Sequence, residues 1–177
     1  MKTIDKYLFQ ALDSYPYSLE ETIESLDYAF SYDSKNTMIL CLYGRIQAEQ
    51  LLNYEEAKIY FQEALAINIH ALEVYPYYLQ TLILNEDYEE AQKLIDFALT
   101  IKGISKAMIF VKKAILLEVQ HKFKEALKEI KQAKLYSIQH DYDSGISEVE
   151  KRIKDKVALL EKKKPKEKKK NSKKKSK

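Results

Sequence analysis

Cysteine occurs once in the 177 residues, at Cys41, so the chain can form no internal disulfide and no cysteine-based metal cluster. That suits a reducing compartment. The three glycines are too few and too scattered for a phosphate-cradling loop. The three histidines, His70, His121 and His140, lie neither three to five residues from one another nor at such a distance from Cys41, as clustered zinc ligands would. No metal or cofactor is expected. Long apolar runs are missing too: the start, Met1 to Lys6, brings charge at once, and no later stretch approaches the length of a membrane span. The chain is therefore expected to be cytoplasmic, without a membrane span. Tryptophan is absent altogether.

What is present is a repeat. Tyr54-Glu55-Glu56-Ala57, followed by Phe61, Ala64 and Leu65, returns as Tyr88-Glu89-Glu90-Ala91, Ile95, Ala98 and Leu99, and again as Phe123-Lys124-Glu125-Ala126, Ile130 and Ala133. The period is 34, then 35. In each copy an aromatic, a small residue, an apolar residue and a second small residue fall on one helical face, and alanine there lets a neighbouring helix come close. A period of this length with one helical pair per unit is the mark of a solenoid whose units bury their faces only against their neighbours.

On these residues the chain resembles the tetratricopeptide repeat family, over roughly residues 1–160. The family's small position on the first helix of a unit is matched by Gly44 and Ala114, and its paired small positions on the second helix by Ala57 with Ala64, Ala91 with Ala98, and Ala126 with Ala133. Departures are equally plain. No unit ends in the family's usual proline, Leu79 stands where a small residue is expected, and the first unit carries one extra residue between Gly44 and Ala57. The resemblance implies an all-α fold, a right-handed α-solenoid of antiparallel helix pairs with a C-terminal capping helix, and a concave face that holds a peptide or protein partner. Carried over position by position, that groove would be lined by Cys41, Arg45, Ala48 and Glu49, by Tyr77, Gln80, Ile83 and Leu84, and by Val111, Lys112, Ile115, Glu118 and Val119. The residues expected to meet the partner are Arg45, Glu49, Tyr77, Gln80, Lys112, Ile115 and Glu118. A clamp for chaperone tails is not supported, because the positions that hold lysine and asparagine in such members mostly hold Cys, Arg, Tyr, Gln, Val and Ile here.

Charge divides the chain. Residues 162–177 hold 11 lysines and one acid, Glu167, a net of +10, while the other 161 residues carry 19 bases and 26 acids, a net of −7. Two regions follow: a helical repeat domain at 1–161, which holds all of the chain's 46% apolar content, enough for a continuous core, and a lysine-rich tail at 162–177 that can bury nothing and is expected to be disordered. Lys168, Lys169, Lys170, Lys173, Lys174 and Lys175 are its expected polyanion-binding residues, and RNA, a ribosome or an acidic surface are the polyanions they would attract without sequence preference.

The spacing predicts nine helices. Ser18 with Glu21, Asp33 or Ser34, Asn53 with Glu56, Asp87 with Glu90, and Ser105 are the expected N-caps, and Gly103 the expected left-handed stop. Pro76 fits only a first turn, so its helix should begin late, near Glu73 to Tyr75, or kink there. Ile146, Val149, Ile153, Val157 and Leu160 recur on one face and predict the capping helix. Ala107 is expected on an exposed face.

Candidate chemistry is sparse. Asp141-Tyr142-Asp143 could open a calcium loop, but the sixth and twelfth positions would be Ile146 and Arg152 rather than glycine and glutamate. A polar turn into the capping helix is the better reading. Cys41, between Leu40 and Leu42, reads as a small buried residue rather than a nucleophile. Fourteen tyrosines suit helix junctions first and binding surfaces second. With no catalytic constellation, the expected function is a non-catalytic interaction scaffold, and the alternative is a polyanion-binding adaptor acting through the tail.

Overall fold

A computed structural model describes residues 6–137 and 143–162, and those residues form nine helices and no strand. They are α1 (Lys6–Ser14), α2 (Leu19–Tyr32), α3 (Thr37–Arg45), α4 (Tyr54–Ile67), α5 (Val74–Leu84), α6 (Tyr88–Ala98), α7 (Lys106–Val119), α8 (Phe123–Tyr136) and α9 (Asp143–Lys162). Each helix packs on the next, and in addition α3 touches α5, α5 touches α7, and α7 touches α9. The odd-numbered helices from α3 onward thus form one continuous row.

The repeated small residues are what let the helices approach. Ala57, Ala64, Ala91, Ala98, Ala126 and Ala133 are all fully buried. At Gly44 a Cβ would lie 2.6 Å from Phe61 Cε1, so the α4 aromatic sits directly against the α3 backbone. Leu79, at the equivalent place on α5, is also buried. Ala107, expected outside, is only 2% exposed, because it sits in the first turn of α7 on a buried side. The cores under α1 to α3, α3 to α7 and α7 to α9 join through Phe30 on α2, which packs against the first two, and Ile115 on α7, which packs against the last two.

The extra residue between Gly44 and Ala57 has a structural counterpart. The helix begun by α3 continues as one π turn, Ile46–Gln50, which absorbs an additional residue without leaving the helix. Asn53 N–H then donates to the Gln47 carbonyl at 2.8 Å, six residues back, where the later pairs close over five: Asp87 to Leu82 at 2.9 Å and Lys122 to Leu117 at 2.8 Å. Leu52, Glu86 and His121 carry left-handed φ values of 53°, 63° and 61° in these three turns. The turn conformation therefore repeats with the period of the sequence although no glycine marks it.

Several caps differ from expectation. Asn53 and Ser105 accept from the Glu56 and Met108 amides as expected. Ser18 makes no side-chain cap bond, and Thr22 instead donates to the Ser18 carbonyl at 2.7 Å. Asn36, not Asp33 or Ser34, caps α3 by accepting from Met38 N–H at 3.0 Å. Asp87 caps nothing, because its carboxylate takes Lys58 Nζ at 2.7 Å and Asn85 Nδ2 at 2.7 Å. Gly103 has a φ of 92° but lies in the loop beyond α6, which ends at Ala98. α5 begins at Val74, so Pro76 falls in its first turn. The Asp141-Tyr142 pair and the tail from Lys163, including Lys168, Lys169, Lys170, Lys173, Lys174 and Lys175, lie outside the described residues.

Candidate functional site

Three of the expected groove residues meet around the π turn. Arg45, at the end of α3, places its guanidinium carbon 4.6 Å from the Tyr15 ring centroid and 4.2 Å from that of Tyr77, so it is held between two aromatic faces. Glu49, one turn on, accepts from Arg45 Nε at 3.3 Å and from the Tyr15 hydroxyl at 2.5 Å. Burial, reinforced by the hydrogen bond to Glu49, pushes the Tyr15 phenol up to about 12, which keeps it a donor. Tyr15 comes from the α1–α2 turn and was not among the expected groove residues. Its distance in sequence from Glu49 conceals the contact.

Further along the row, Lys112 on α7 donates from Nζ to Gln80 Oε1 on α5 at 2.8 Å. Burial pushes this ammonium down to about 8, with Glu49 acting weakly the other way. Ile115 is half-buried beside it. An apolar cavity of about 260 Å³ opens against both clusters, with Ala48, Leu52, Phe61, Leu84 and, as its one charged side chain, Glu49 in a wall that Tyr77 and Gln80 complete. Two of its rim residues, Leu52 and Leu84, are 66% and 51% exposed.

Glu118 is a different case. Expected at the groove, it is 2% exposed and covered by α9, whose Arg152 forks both carboxylate oxygens at 2.9 and 2.8 Å while Lys156 reaches Oε1 at 2.6 Å. Burial alone would raise its pKa, but the hydrogen bonds from Arg152 and Lys156 outweigh that and hold the carboxyl below the usual range. It joins helices rather than facing a partner. Cys41, Ala48 and Ile83 are likewise buried. Cys41 donates at 3.9 Å to the Glu73 carbonyl, and burial pushes its thiol up to about 12, far from a thiolate nucleophile.

Among the described residues no three His, Cys, Asp or Glu side chains converge as metal ligands, and no helix is long and apolar enough to cross a membrane. No protein-family model matches the chain, and no curated protein matches it.

Proposed function

We propose that the chain is a non-catalytic interaction scaffold, a right-handed solenoid of the tetratricopeptide kind whose odd-numbered helices form a concave face for a segment of a partner protein. The observation that carries this reading is the apolar cavity between the π turn, α4 and α5, open beside the polar cluster of Arg45, Glu49 and Tyr77 and rimmed by the exposed Leu52 and Leu84. Large exposed apolar side chains around a concavity mark a binding surface more often than solitary ones do. The repeated turn geometry and the continuous row of odd helices support the solenoid. Arg45, Glu49, Tyr77, Gln80, Lys112 and Ile115 are the residues proposed to frame the partner.

Affinity purification of the full chain, with Leu84→Arg compared against Leu159→Arg, tests this. Leu159 is exposed on α9, away from the cavity, so only Leu84→Arg is expected to lose a bound partner. Equal loss from both variants, or retention by both, would remove the cavity from the binding surface.

A further inference from the structure

Lys112 differs from the other partly buried cations of the odd-helix row in what it faces. Arg45 has Glu49 and Lys113 has Glu129, and even the exposed Arg152 and Lys156 share Glu118. Lys112 has only the neutral Gln80 oxygen at 2.8 Å, and no carboxylate of the described residues stands within ion-pair distance of its Nζ. An ammonium carries three donors, so two lack a described acceptor. Gln80 is also a wall of the apolar cavity, which puts cation and cavity on either side of one side chain.

Resting on the scaffold reading above, we infer that this place takes a partner segment carrying an aspartate or glutamate next to a leucine, isoleucine, valine or phenylalanine, the acid meeting Lys112 and the apolar side chain entering the cavity. Charge fixes the first half. The nearby carboxylate, Glu49, is already engaged by Arg45 and Tyr15, so an incoming acid finds a cation not yet neutralised. Desolvation makes that cation costly as it stands, as its lowered proton affinity indicates, and an arriving carboxylate offsets the cost. Size fixes the second half. At about 260 Å³ the cavity falls below the roughly 300–1,000 Å³ of pockets for cofactor-sized molecules, and suits a single side chain. A phosphate is disfavoured, since its recognition ordinarily draws on clustered arginines, and Arg45 is committed to Glu49. The chain's own tail does not fit either: residues 162–177 contain no leucine, isoleucine, valine or phenylalanine, and their lysines repel Lys112.

The test is selection from a displayed random-peptide library on the immobilised full chain, with Lys112→Met and Gln80→Glu beside the parent. All three share the same tail, and raised salt screens it, so differences belong to the groove. Met matches the length of lysine without its charge, and Gln80→Glu gives Lys112 a carboxylate of its own. Circular dichroism and thermal unfolding of each variant establish that it keeps the parental fold. The parent should enrich acids adjacent to large apolar residues, and both variants should bind the best such peptide at least about tenfold more weakly, the loss expected of one charge-assisted hydrogen bond. Peptides enriched for an apolar residue alone, lost with Leu84→Arg but indifferent to both variants, would overturn this inference and leave the scaffold reading standing. Retention of no peptide by the parent would overturn both.

Discussion

Ala91 has helix atoms packed on every side, and a longer side chain there has nowhere to go. Ala91→Leu should cost about 1–3 kcal/mol, the usual penalty for overpacking, whereas Ala66→Leu on the exposed side of α4 should stay within about 0.5 kcal/mol. Urea unfolding of both variants checks this, and equal costs would contradict the packing register. Ala107, though its position suggested an exposed face, cannot serve as the comparison because it too is buried. At Glu118 the residue scale brings in pH. Its folded pKa is depressed, so the ion pairs with Arg152 and Lys156 stabilise fully above the unfolded carboxyl range and are lost as pH falls through the lower folded value. Glu118→Gln should therefore cost about 1–3 kcal/mol near neutral pH, toward the lower end because both cations are half-exposed, and almost nothing once pH drops below that value. Denaturation midpoints of parent and variant that stay apart in acid would refute the assignment. Periodicity alone could not reveal this role, since it gives the position of Glu118 on α7 and says nothing of the α9 cations that reach it.

Elements were legible where side-chain size sets them. Small residues at a period of 34 to 35 gave the helix pairs, and the odd spacing after Gly44 became a π turn. Turns and caps were less legible because side chains there have competing partners. Asp87 sits where an N-cap belongs, yet the ammonium of Lys58 outbids a backbone amide for its carboxylate. The left-handed residues Leu52, Glu86 and His121 carry no glycine signature, since the closing bonds from Asn53, Asp87 and Lys122 impose the conformation. A left-handed φ disfavours β-branched residues most strongly. Glu86→Val should therefore lie about 1 kcal/mol below Glu86→Gly in stability, measured by chemical denaturation, even though residue 86 is exposed. Identical stabilities would mean that the turn does not hold its left-handed form.

Across the whole molecule, the row formed by α3, α5, α7 and α9 brings together side chains from units that are distant in sequence, Arg45 with Tyr77 and Gln80 with Lys112, and the α1–α2 turn adds Tyr15 against Glu49. The resemblance to tetratricopeptide repeats named most of these positions, while the cavity depends on the π turn and on the exposure of Leu52 and Leu84, which spacing alone does not give. The central claim is that partners meet this side of the molecule and not the face built from the even-numbered helices. A photo-activatable cross-linker placed at Leu84 on α5, and separately at the exposed Phe97 on α6, measures this most directly when the full chain is irradiated with its bound partner. The account predicts adducts from position 84 and none from position 97. Adducts from position 97 alone, or in equal yield from both, would contradict it.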